Sequence, residues 1–159
     1  MILCENPKGG TVKIGISLIE KSMIKPEATL VVVAHGSRVS TSNQEVLELT
    51  CSISETSPRL KVFAAFMELA EPSLVEVLED CAMQTTEIVI VLPLFLSAGR
   101  HVTNDLPAVI RKTAARYPHV CYKLMPHFGA NPNLPNMLIN QVMKDLETTS
   151  VHDGVSKYP

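Results

Sequence analysis

The chain has 159 residues, enough for one domain with a proper core and little besides. An apolar fraction of 46% beside 19% charged residues excludes a disordered chain, and a net charge of -2 with scattered Lys and Arg offers no basic stripe for nucleic acid. No apolar stretch reaches the ~18–20 residues that cross a bilayer, since the longest, Ile88 to Leu96, contains Pro93 and reads as a buried strand and its exit.

The four cysteines, Cys4, Cys51, Cys81 and Cys121, lie far apart and form no CxxC pair, which supports neither a zinc ribbon nor an iron–sulfur site. They read as buried free thiols in a reducing compartment. Lys13, Gly15 and Glu20 interrupt any apolar core of a secretory signal, so the expected location is cytoplasmic.

Residues 1–27 are mixed in character and read as an extension outside the core, with one added strand around Val12 to Ile19. Thr29 to Ala34 (TLVVVA) is a continuous, largely β-branched run, as a parallel strand buried on both faces requires. Ser40, Thr41, Ser42 and Asn43 then offer N-caps for a helix with Val46, Leu49 and Ile53 on its apolar face, stopped by Pro58. Leu60 to Phe66 is a second strand. Pro72 starts a helix with Leu74, Val77, Leu78 and Cys81 at helical spacing. Glu87 to Leu92 (EIVIVL) is a third buried strand. Thr103, Asn104 and Asp105 are candidate caps for a helix with Pro107 in its first turn and Leu106, Val109, Ile110 and Ala114 facing inward. Val120 to Leu124 is a short fourth strand and Leu134 to Leu146 a closing helix. The domain proper spans residues 28–147, and the polar stretch 148–159 reads as a frayed tail.

This alternation, with links unsuited to antiparallel hairpins, predicts an α/β fold: a parallel four-stranded sheet with helices on both faces. The expected order is 2-1-3-4, as in flavodoxin-like folds, which makes the first and third strands neighbours at the topological switch point. Ligands bind beyond the carboxyl ends of such strands. After the first strand the chain reads Ala34-His35-Gly36-Ser37-Arg38. After the third it reads Pro93-Leu94-Phe95-Leu96-Ser97-Ala98-Gly99-Arg100-His101, and after the second Met67-Glu68-Leu69-Ala70-Glu71.

Two imidazoles and a carboxylate suit borderline divalent ions, and so few protein ligands leave coordination positions open. Taken singly, each histidine reads as readily as a surface or capping residue, and Glu68 as a solvated loop charge. Arg38 and Arg100 beside the histidines favour an anionic ligand, although each alone is an ordinary surface charge. His127 falls at the same edge but farther from the switch point. His119 and His152 carry no functional expectation. No GxGxxG, GxxxxGK[ST] or GxSxG is present, which leaves nucleotide binding and acyl hydrolysis without support.

Five segments together resemble the class II chelatases, specifically the short sirohydrochlorin chelatases. They are VVVAHGSR (Val31 to Arg38), Asn43 with Glu45, AFMELAEPSL (Ala65 to Leu74), VLPLFLSAGRHVTNDLP (Val91 to Pro107) and PHFGANPNL (Pro126 to Leu134), in order over residues 29–146. The resemblance implies a three-layer, chelatase-like domain and a metal-ion chelatase (lyase) activity. The reaction implied is insertion of Co2+ or Fe2+, with Ni2+ also fitting, into sirohydrochlorin on the way to cobalamin or siroheme. It implies His35 and His101 as the catalytic, metal-handling pair, with Glu68 a third contributor. Ser37, Arg38, Ser97, Gly99 and Arg100 would anchor the peripheral carboxylates of the ring, and Met67, Phe95 and Leu96 could line its face. The metal is then a substrate, and no tightly bound cofactor, nucleic acid or membrane is expected. Short members match one half of longer two-domain relatives, which implies a homodimer. The extension before Thr29 departs from the short members. The competing expectation is a non-catalytic metal or tetrapyrrole carrier on the same fold.

Overall fold

The computed structural model describes residues 28–84 and 87–148. Strand β1 (Ala28–Ala34) leads into helix α1 (Ser40–Thr56), strand β2 (Leu60–Phe66), helix α2 (Leu74–Met83) and strand β3 (Ile88–Pro93). A π-helical turn (His101–Asp105) runs directly into helix α3 (Leu106–Arg116), followed by strand β4 (Cys121–Leu124), a 3-10 turn (Phe128–Ala130) and helix α4 (Leu134–Thr148). All four strands are parallel in the order β2-β1-β3-β4, as the alternation of elements predicts. The expected strand around Val12 to Ile19, the extension and the tail beyond Thr148 lie outside the described residues; Thr148 itself closes α4.

Burial explains the β1 sequence. Val31, Val32 and Val33 are all fully buried, so both faces of this central strand are covered and neither can carry a polar residue. On one face Val31, Val33, Ala65, Val89 and Val91 pack with Leu74, Leu78 and Cys81 of α2 and Leu106 and Ile110 of α3. On the other face α1 packs on β2 and shields the β1–β2 half.

Local chemistry places two helix starts differently from the expectation. Helix α2 begins at Leu74 and not at Pro72, because Ser73 forms a capping box: its Oγ accepts from the Glu76 N–H at 3.4 Å, and its own N–H donates to Glu76 Oε2 at 3.0 Å. The Ser73 hydroxyl and amide hold the Glu76 carboxyl below its ordinary range. Helix α1 starts at Ser40 behind Val39, with no side-chain cap. Asn43, an expected cap, is instead spent on the preceding loop.

One further expectation changes. Of the described cysteines only Cys81 is both free and buried, its thiol pushed up to about 11 by burial; Cys121 is exposed and Cys51 is disulfide-bonded. Helix α4 forms where the closing helix is expected, with Leu138, Ile139, Val142 and Leu146 54%, 61%, 55% and 63% exposed. Ile88, Cys121 and Lys123, which share one sheet face by register, are exposed as well. Among the described residues, no helix covers the β3–β4 half of that face.

Candidate active site

Each functional side chain hangs from the carboxyl end of a strand, where sheet pairing continues into the loops. Met67 N–H donates to the Ala34 carbonyl at 2.9 Å and Glu68 N–H to the His35 carbonyl at 2.9 Å, so the loops after β1 and β2 are zipped together. Leu94 N–H does the same to Val33 at 2.7 Å and anchors the loop after β3. Gly36 sits at φ +89, and an added Cβ would lie 1.8 Å from the Glu68 carbonyl oxygen. Only glycine permits that approach. Leu69, next to Glu68, is held at φ 62, a left-handed conformation costing a leucine roughly 1–2 kcal/mol. Gly129 plays a similar part on the far side, since a Cβ there would meet the Leu96 carbonyl oxygen at 1.9 Å.

The switch point then brings together the residues that the strand order put side by side. One nitrogen from each of His35 and His101 and one oxygen from Glu68 lie within 4.8 Å of one another. The two imidazoles meet edge to face with ring centroids 4.9 Å apart, and His101 Nε2 is 3.8 Å from Glu68 Oε1. Both rings have their Nδ1 engaged. His35 Nδ1 is 3.0 Å from the Gly36 carbonyl, and His101 Nδ1 is 3.0 Å from Asp105 Oδ2. A carbonyl and a carboxylate only accept, so in the neutral form of each ring these contacts put the proton on Nδ1 and the lone pair on Nε2. His35 and Glu68 are exposed and His101 half-buried, which leaves the cluster open to solvent.

The expected anchors divide. Arg38 and Arg100 are exposed, Arg100 with 82% of its side chain free, and Arg100 Nε reaches Asp105 Oδ1 only at 3.7 Å. Ser97 and Gly99 are exposed on the same loop. Two backbone amides of these loops are committed: Ser37 N–H donates to Asn43 Oδ1 at 2.9 Å, and Gly99 N–H to the Ser97 carbonyl at 3.0 Å. Asn43 Nδ2 returns a bond to the Ser37 carbonyl at 2.8 Å, and Val39 N–H takes the Ser37 Oγ at 3.0 Å. Asn43 therefore braces the loop. Of the apolar residues, Met67 and Phe95 pack against the core, with Phe95 also 6.4 Å from the His101 ring, while Leu96 is 74% exposed. His127 precedes the 3-10 turn and stays outside the cluster. His119 Nε2 contacts the Ala82 carbonyl at 3.2 Å.

One residue of the site escaped the sequence reading. Asp105 was expected to cap α3, but its backbone is helical, at φ -74 and ψ -47, and its carboxylate turns back to His101. The i,i+4 spacing of His101 and Asp105 was the available signal, because such pairs share a helix face.

A four-stranded parallel α/β domain with an open His-His-Glu cluster at its switch point, a donor set that could hold a metal ion, defines the class. The CbiX family model matches residues 29–145, and the chain belongs to that family. It is 32% identical over 116 residues to the chloroplastic sirohydrochlorin ferrochelatase of Arabidopsis thaliana, covering 73% of this chain and 49% of the relative. It is 30% identical over 82 residues to the sirohydrochlorin cobaltochelatase of Methanococcoides burtonii, covering 52% and 63%. The crystal structure of a CbiX protein of cobalamin biosynthesis from Marinobacter aquaeolei VT8 matches with a TM-score of 0.66 at 33% identity, covering 77% of this chain and 99% of that one. The Bacillus subtilis SirB structure with Fe3+ matches with a TM-score of 0.66 at 27% identity, covering 77% of this chain but 48% of SirB. The chain spans about half the length of the curated relatives it matches.

Proposed function

We propose that this chain is a sirohydrochlorin chelatase, a lyase-class enzyme that exchanges two pyrrole protons for one divalent metal ion. The observation that carries the reading is the convergence of His35, His101 and Glu68 donor atoms within 4.8 Å at an open sheet edge. The names of the relatives point to iron and cobalt, and the same donor set accepts nickel.

In this reading the Nε2 atoms of His35 and His101 hold the incoming ion, with Glu68 as a third donor, and the remaining positions face the ring. Two N–H bonds break, the bonds from the ion to the protein donors are given up, and the four ring nitrogens bind the ion, so that one divalent cation replaces two protons. The departing protons pass to the cluster, where imidazole serves as base as the metal leaves it, and from there to solvent. Arg38 and Arg100 pair with the peripheral carboxylates, helped by the Ser37 and Ser97 hydroxyls, while the open surface over Gly99 admits the ring edge. Leu96, exposed beside the cluster, meets the ring face.

The direct test mixes purified protein anaerobically with sirohydrochlorin and Co2+, Fe2+ or Ni2+ in turn. Metal-dependent loss of the free-base spectrum faster than the protein-free control is the expected result. A ring spectrum shifted by binding, with no acceleration for any metal, would identify a carrier and overturn the catalytic reading.

We further propose that the working unit is a homodimer. The domain accounts for nearly all of the Marinobacter protein but about half of SirB, so longer relatives have room for a second domain of this size. A second copy of this chain is the matching occupant for the exposed apolar stripe of α4 and for the uncovered β3–β4 sheet face. Light scattering should report a dimer for the native chain and a monomer after Leu138→Asp with Val142→Asp. A monomeric native chain at micromolar concentration would sink this part of the proposal.

A further inference from the structure

The two histidines of the cluster are not held alike. His35 Nδ1 faces a neutral backbone carbonyl, that of Gly36, whereas His101 Nδ1 faces the carboxylate of Asp105 at the same 3.0 Å. The π-helical turn His101–Asp105 brings this about: it sets the two residues four apart on one helical face, with no separate cap between the turn and α3. The Asp105 carboxylate makes no capping bond, and its second oxygen lies 3.7 Å from Arg100 Nε. Asp105 is half-buried, with a third of its side chain exposed (33%), and His101 is 23% exposed, so their contact is partly shielded from water.

We infer that Asp105 is the positioning residue of the site: it keeps His101 in its Nδ1–H form, aims Nε2 at the Glu68–His35 cluster and makes His101 the stronger of the two metal donors. The physics is that of a carboxylate behind a metal-binding imidazole. Such an acceptor selects the tautomer, fixes the ring plane and raises the basicity of the opposite nitrogen, and its loss weakens metal binding by roughly 10–100-fold. His35, backed only by a carbonyl, is the weaker donor and the one that more readily lets the ion go. The pair is therefore asymmetric. His101 captures the ion, and His35 faces its transfer. Arg100, on the other carboxylate oxygen, links this device to the loop that meets the anionic ring.

The inference rests on the metal-handling reading of the cluster but is tested apart from turnover. Imidazole nitrogen NMR on the full chain, above the pH at which its histidines are protonated, reads the tautomer of His101 without metal or ring. The expected native state is Nδ1–H, changing to Nε2–H in Asp105→Asn, whose amide can donate to Nδ1. Titration with Co2+ alone, followed by its visible absorption, should then show affinity reduced roughly 10–100-fold in Asp105→Asn and Asp105→Ala at unchanged melting temperature. A His101→Ala variant should lose more Co2+ affinity than His35→Ala. A native Nε2–H tautomer at His101, or an Asp105→Asn protein with native tautomer and native Co2+ affinity, would overturn the inference. Should the native chain show these tautomers and affinities yet fail to accelerate insertion, the chelatase proposal falls and the role of Asp105 stands.

Discussion

Replacing His35 and His101 together with alanine should reduce metal insertion to the protein-free rate while leaving the domain folded. The two imidazoles supply the nitrogen donors of the cluster, and Glu68, more than half exposed at 55% of its side chain, cannot hold an ion alone against water. The residues act as one unit, so each single variant should lose most of the activity and the double variant little more. Stability should change little. His35 is exposed and His101 lies at the rim of the core, so truncation opens no sealed cavity. The measurement is the anaerobic spectral assay beside a thermal melt. Insertion above background in a correctly folded double variant would defeat the assignment of these residues, whatever metal is used.

Gly36→Ala should be the most damaging single methyl addition in the site. Its φ of +89 costs an alanine roughly 1–2 kcal/mol, and the new Cβ would sit 1.8 Å from the Glu68 carbonyl oxygen. That carbonyl cannot retreat freely, because the Glu68 amide is bonded to the His35 carbonyl at 2.9 Å. Forced repacking adds roughly 1–3 kcal/mol, for a total of about 2–5 kcal/mol and a fall in melting temperature of at least about 6 °C in a domain of this size. Activity should fall further than stability alone accounts for, since the displaced loop carries Glu68. Gly99→Ala is the matched control: nothing lies within 4 Å of its Cβ position, so its melting temperature should stay native. Equal melting temperatures for the two variants would show that the close approach at Gly36 does not constrain the loops.

How much of this was legible in the sequence depended on range. The strands were readable because burial on both faces leaves a local mark: the run Leu30 to Val33 has no polar residue, and none could be tolerated. The strand order expected by analogy with flavodoxin-like folds put His35 and His101 side by side although 66 positions separate them in the chain. Polar side chains were harder to read, because they choose among competing partners. Asn43 and Asp105 are both good helix caps by type, yet Asn43 binds the Ser37 backbone and Asp105 binds His101. Glycine was ambiguous in the same way. Gly36 and Gly99 look alike in sequence, but one is pinned against a carbonyl and the other borders open space.

The sequence by itself determined the layered parallel fold, the crevice and the residue types at its rim. Those follow from hydrophobic periodicity and chain connectivity, which act over a few residues at a time. Only the tertiary structure decided that Nδ1 of each imidazole is occupied, that Asp105 backs His101, and that α4 leaves its apolar stripe bare. Those outcomes depend on which acceptor or surface lies within about 3–4 Å once distant segments have met, a choice that local pattern does not encode.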